Sequence, residues 1–120
     1  VVACDLQQRM LDFTKTKLTG TGLEDRVRLH HCDKESTGLN EKFDFILLFY
    51  MVHEVPDKGG FFKSLIPLFN PGAKALMVEP VFHVSKKLFT QFVEAARKNG
   101  LTDQDGPPIF FSRSRILTPA

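Results

Sequence analysis

KFDFILLFYMVHEVPD, residues 42–57, decides the fold. Within it, Phe43-Asp44-Phe45-Ile46-Leu47-Leu48-Phe49 is a near-continuous apolar run. Such a run predicts a strand buried on both faces, as in a parallel sheet covered by helices. A helix is expected after Asp57, because Phe61, Phe62, Leu65, Ile66, Leu68 and Phe69 recur at three- and four-residue steps. Asn70-Pro71-Gly72 is expected to stop it.

The same alternation continues in both directions. Toward the N-terminus, Val27-Arg28-Leu29-His30-His31-Cys32 reads as a strand closed by Asp33. Val1-Val2-Ala3-Cys4 reads as another, stopping on Asp5. Between them Leu6, Met10, Leu11, Phe13 and Leu18 mark one face of a helix that Gly20-Thr21-Gly22 ends. Toward the C-terminus, Ala73 to Glu79 reads as a strand, and Ser85 can cap a helix carrying Leu88, Phe89, Phe92, Val93 and Ala96. Leu101 to Ile109 and Phe111 to Leu117 then suggest a closing antiparallel hairpin. Strand–helix alternation of this kind predicts one α/β domain over residues 1–120, with an open, mostly parallel sheet flanked by helices.

Composition narrows the function classes. Of 120 residues, 42% are hydrophobic and 25% charged, with 16 basic and 14 acidic residues well scattered. The net charge of +2 has no basic surface to suggest a nucleic-acid partner. No window approaches the roughly 18 apolar residues of a membrane span. Cys4 and Cys32 lie in apolar contexts that predict buried thiols and a reducing, cytoplasmic setting rather than a disulfide. No metal site is expected: His30, His31 and Cys32 are consecutive on a strand, and alternation sends neighbours to opposite faces.

In an open α/β sheet, ligands bind beyond the carboxyl ends of the strands. Asp5 and Asp33 both fall there. A strand-end carboxylate can accept two charge-assisted hydrogen bonds from ribose hydroxyls, and its neighbour can accept one from an exocyclic amine such as that of adenine. A local role competes in each case, a helix cap for Asp5 and a turn for Asp33.

VVACDLQQRML, RVRLHHCDK, KFDFILLFYMVHEVPD and LFNPGAKALMVEP, in that order, resemble the class I S-adenosylmethionine-dependent methyltransferases over essentially the whole chain. Phe43-Asp44 opening an apolar strand, Asn70-Pro71-Gly72, the strand ending in Glu79-Pro80, and the final FFSRSRIL carry the resemblance most specifically. The resemblance implies a Rossmann-like fold, S-adenosylmethionine as cofactor and a small-molecule methyl acceptor. It implies that Asp5 holds the ribose hydroxyls, Leu6 lies beside the adenine, Asp33 faces its amino group and the Lys34 amide contacts the ring. Phe49 would line the cofactor pocket. Tyr50, His53 and Glu54 would face the acceptor, with His53 the candidate general base, since its unperturbed pKa is near neutral. A packing role at the helix start is the alternative for His53. Glu79 reads as a solvated strand-end carboxylate.

One departure stands out. In this family a strand, a glycine-rich loop and a helix precede the acid-ended strand, and Val1 begins after that point. The expectation is therefore a longer N-terminus of roughly 30 residues, the size of a βαβ unit less its second strand. Without it a central sheet edge is uncovered and open to self-association. Ala73 also replaces a second glycine after Gly72. Two other functions compete with methyl transfer: a catalytically inactive methyltransferase-like binding module, and another nucleotide-binding α/β protein such as a dehydrogenase.

Overall fold

β1 (Val2–Asp5) and β2 (Arg28–His31) run parallel, with Val2 opposite Arg28 and Asp5 opposite His31. The helix between them, α1 (Gln8–Leu18), buries only Leu11 fully. Gly20 and Gly22, both at positive φ, turn the chain back toward β2. The structure, a computed structural model, describes residues 1–120. The chain divides into two units, Val1–Gly38 and Leu39–Ala120.

The second unit is built on a four-stranded sheet in the order β3-β4-β6-β5. β3 (Phe43–Phe49) pairs in parallel with β4 (Phe69–Pro80). β4 pairs antiparallel with β6 (Ser112–Pro119), and β6 with β5 (Leu101–Asp105). Asp57 caps α2 (Lys58–Leu65) by accepting the Gly60 N–H at 3.0 Å, and Ser85 caps α3 (Lys86–Lys98) by accepting the Leu88 N–H at 3.1 Å. The α/β class, the parallel pairs, the flanking helices and the C-terminal antiparallel hairpin are those expected from the sequence, with the strands distributed over two sheets.

The core lies between one face of that sheet and the two helices. Leu48, Ala75, Met77 and Leu117 meet Phe62, Leu65, Phe92 and Ala96 there, all at most 4% exposed. Register explains the shared face, since Leu48 stands opposite Met77 and Ala75 opposite Leu117.

Three local expectations are corrected. β3 is not buried on both faces: Phe45, Leu47 and Phe49 are 57%, 54% and 51% exposed. Helices α2 and α3 pack on the Leu48 side, and the alternate residues have no covering layer. Helix α2 ends at Leu65 rather than running to Asn70, because Pro67 turns the next residues into a short 3₁₀ segment. Asn70-Pro71-Gly72 instead lies within β4 as an irregularity: Phe43 pairs with Phe69, and Phe45 next pairs with Lys74. Gly72 takes a positive φ of 80° there. Finally, Cys4 is exposed and Cys32 half-buried, since a two-stranded sheet with one helix encloses little; both thiols are free.

Candidate active site

In the first unit the two aspartates stand at the carboxyl edge of the β1–β2 pair. Asp5 is the last residue of β1, opposite His31, and its carbonyl accepts the Cys32 N–H at 3.0 Å. Asp33 follows directly. Asp5 Oδ1 accepts the Gln7 N–H at 2.8 Å, which shapes the turn before α1; the helix cap position itself is Gln7. Asp33 Oδ1 accepts the amides of Ser36 and Glu35, each at 2.9 Å. Those two N–H groups, Ser36 first, hold the Asp33 carboxyl below the usual aspartate range. The turn reading of Asp33 is therefore seen in the fold. Cys32 sits between the acids: burial raises its thiol pKa, and the Asp5 charge, then Asp33, add to the rise. Leu6 is 43% exposed and Lys34 is exposed. His30 and His31 serve different carbonyls, Thr37 at 2.6 Å and Leu6 at 2.7 Å.

In the second unit a dyad forms at the carboxyl edge of β3 and β4. His53 lies in a 3₁₀ turn, Val52–Glu54, just past β3. Its Nδ1 donates to Oε2 of Glu79 at 2.5 Å. The other oxygen of Glu79 accepts the Val52 N–H at 2.8 Å. Glu79 is 0% exposed, so the expectation of a solvated carboxylate is overturned. Both of its oxygens are committed, and together they set the imidazole's position and tautomer. With Nδ1 carrying the proton, Nε2 has the lone pair. The His53 side chain is 24% exposed, and Glu54 Oε1 lies 3.9 Å from Nε2. A half-open imidazole backed by a buried carboxylate can take a proton at Nε2 while the carboxylate offsets the charge that forms.

The surrounding backbone is strained. Tyr50 has a φ of 55° and Phe111 one of 52°, the left-handed region that non-glycine residues seldom occupy. Tyr50 is held there by its N–H to the Val78 carbonyl at 2.8 Å and its hydroxyl to Ser112 Oγ at 2.6 Å. Its ring stacks on Phe49 at 4.1 Å between centroids.

These features find their context in known proteins. The methyltransferase domain family matches residues 1–77. The chain belongs to that family. It is a class I, Rossmann-like member, and S-adenosylmethionine is the family's cofactor. No curated protein matches the chain. Among solved structures it is similar to the mitomycin 7-O-methyltransferase MmcR, with 16% identity and a TM-score of 0.76, over 99% of this chain and 41% of that one. It is also similar to the O-methyltransferase NcsB1 of neocarzinostatin biosynthesis, seen with S-adenosylmethionine and 2-hydroxy-5-methyl naphthoic acid. There the identity is 16% and the TM-score 0.80, over 99% of this chain and 41% of that one. The glycopeptide N-methyltransferase MtfA, complexed with sinefungin, gives 16% and 0.79, over 100% and 71%. The chain thus spans 41% of the length of the first two.

Both strand-end acids accept their backbone amides through Oδ1. Asp5 uses Oδ1 for the Gln7 amide, and a carboxylate has acceptor capacity beyond one such bond. Sequence reasoning brought out His53 but not its partner. The signal for Glu79 was present in LMVEP, a carboxylate that ends an unbroken apolar strand.

Proposed function

We propose that this protein transfers a methyl group from S-adenosylmethionine to a small-molecule acceptor that must lose a proton, with His53 as general base. Bound cofactor would supply an electrophilic methyl on a good leaving group. The protein's own residues then have two tasks. Asp5 and Asp33, with Leu6 and the Lys34 amide, hold the adenosine. His53 Nε2 takes the acceptor proton, while Glu79 holds Nδ1 and offsets the imidazolium charge. Tyr50 and Glu54 face the acceptor. The His53–Glu79 bond carries this reading, since a buried, doubly bonded carboxylate fixes an imidazole that packing alone would leave free to rotate.

Two free thiols fit a cytoplasmic setting. No helix is long and apolar enough to cross a membrane. β3 is an edge of its sheet with an apolar outer face, which suits pairing with a second copy.

Calorimetric titration of the intact protein with S-adenosylmethionine and with NAD tests the cofactor; preference for NAD would point to a dehydrogenase. Methyl transfer to a panel of hydroxyl acceptors tests the chemistry. His53→Gln is expected to retain cofactor binding and lower the transfer rate about 10²–10⁴-fold. Undiminished transfer by that variant would remove His53 from the reaction. Cofactor binding with no transfer to any acceptor would favour the inactive module.

A further inference from the structure

Three phenylalanines at the carboxyl edge of the sheet are held out in solvent. Phe82 is 75%, Phe110 82% and Phe111 55% exposed. They are not scattered: the Phe110 and Phe111 rings lie 4.0 Å apart between centroids, and Phe82 and Phe111 5.3 Å. Single exposed apolar residues are ordinary, but a contiguous aromatic patch marks a contact surface.

The backbone under these rings is tied down by hydrogen bonds. The Val81 N–H donates to the Phe111 carbonyl at 3.0 Å, and Arg113 Nε to the Val84 carbonyl at 3.0 Å. The Phe111 backbone is held in the left-handed region. Such strain gathers at functional positions when the surrounding bonds over-determine it.

Residues next to the patch in sequence reach the dyad's surroundings at the same edge of the sheet. His83 follows Phe82, and its ring lies 6.2 Å from that of His53, nearly parallel at 12°. Ser112 follows Phe111 and bonds the hydroxyl of Tyr50, three residues before His53. Register places all three segments at one edge, since Phe49 pairs with Val78 and Pro80 with Ser112.

We infer that Phe82, Phe110 and Phe111 bind the acceptor, and that the acceptor is a planar aromatic compound bearing a hydroxyl group. The inference rests on the methyl-transfer reading above and names its substrate class. Aromatic faces and edges in tilted contact offer a planar ring both dispersion and quadrupole complementarity, which a saturated ring of equal size lacks. The base sets the second half of the chemistry. A neutral amine already has a nucleophilic lone pair, whereas an aromatic hydroxyl attacks a sulfonium methyl well only as the oxyanion. In the balanced step the hydroxyl proton goes to His53 Nε2, the oxygen forms the new bond to the methyl carbon, and the sulfur–carbon bond breaks with its electron pair left on sulfur.

The test uses the intact protein with 2-naphthol and its saturated counterpart decahydro-2-naphthol. Phe82→Ala and Phe110→Ala remove largely exposed rings, so neither opens a cavity. Each is expected to raise KM for 2-naphthol about tenfold with kcat nearly unchanged, and to leave the saturated alcohol, already a poor substrate, unaffected. Binding is followed separately by 2-naphthol's own fluorescence. Weaker naphthol binding by the two alanine variants, with retention by His53→Gln, supports the aromatic site even where no methyl is transferred, so the two readings fail separately. Equal kcat/KM for the aromatic and saturated alcohols would overturn the inference, as would unchanged naphthol binding in both alanine variants. Loss of a dimer or of vesicle binding in the alanine variants, with naphthol binding intact, would also overturn it by assigning the rings to a macromolecular or lipid contact.

Discussion

Nδ1 of His53 and Oε2 of Glu79 lie 2.5 Å apart across 26 residues of sequence, and the second oxygen of that carboxylate holds the backbone amide beside the histidine. One buried side chain thus orders both the ring and the turn that carries it. Glu79→Gln and Glu79→Ala separate the two effects. Glutamine keeps the volume but presents an NH₂ to one of the two donors, so the ring is driven to donate from Nε2 and loses its lone pair there. Methyl transfer is expected to fall about 10²–10⁴-fold. Alanine leaves the Val52 amide and Nδ1–H without an acceptor and costs about 1–3 kcal/mol in denaturant unfolding. Full activity in Glu79→Gln would show that the carboxylate is structural.

Asp5 is the acid that the proposed function gives to the ribose, and its charge also bears on a neighbouring thiol. In the Asp5→Asn variant the Gln7 amide keeps an oxygen acceptor, but the charge that would strengthen bonds to a ribose diol is gone. S-adenosylmethionine binding measured by calorimetry is expected to weaken about tenfold or more. The Asp5 carboxylate also helps raise the Cys32 thiol pKa. Removing a nearby negative charge favours the thiolate, so the Cys32 pKa falls and alkylation by iodoacetamide quickens at a fixed pH below it. Slower or unchanged labelling of Cys32 would contradict the placement of these two groups.

Asp103 ties α3 to the closing hairpin. Its side chain is 5% exposed and receives Arg97 Nε at 2.5 Å and Arg115 Nε at 3.2 Å. The Asp103 hydrogen bond, then its charge, raise the Arg97 pKa above its already high value. Asp103→Ala is expected to cost about 1–3 kcal/mol in urea unfolding. Arg97→Ala should cost less, because its side chain is 48% exposed and water screens its partners. A larger loss in Arg97→Ala than in Asp103→Ala would refute this order.

Gly106 follows β5 where the chain passes close to β6. A Cβ there would stand 2.8 Å from the Ser114 carbonyl carbon and 2.9 Å from the Arg115 nitrogen, besides meeting Ser114 Oγ. Backbone cannot step aside as a side chain can. Gly106→Ala is expected to destabilise by about 1–3 kcal/mol. Gly20→Ala is the informative contrast, because its Cβ would meet nothing within 4 Å and only the positive φ opposes it. Thermal melts of the two variants distinguish a steric clash from backbone strain.

Much of this architecture was legible in residue order. Periodicity located the helices, Asp5 marked the end of a strand, and Ser85 announced its cap. Other features could not be read that way. An apolar run such as Phe43–Phe49 shows that a strand has two greasy faces but not whether anything covers both, and here Phe45, Leu47 and Phe49 face outward. Pro67 ended α2 earlier than the apolar stripe implied, because a missing amide outweighs a favourable pattern.

What the sequence determined by itself was the alternation of strands and helices, the family, and the position of Asp5 at the end of a strand with Asp33 and His53 just past the ends of two others. These depend on neighbours a few residues apart, where spacing and residue type suffice. Only the tertiary structure decided that Glu79 is buried against His53 and that Tyr50 and Phe111 adopt a left-handed backbone. It alone also assembled Phe82, Phe110 and Phe111 into one patch. Burial and long-range pairing are set by which strand lies beside which, and parallel β3 and β4 bring residues 53 and 79 together only once that register is made.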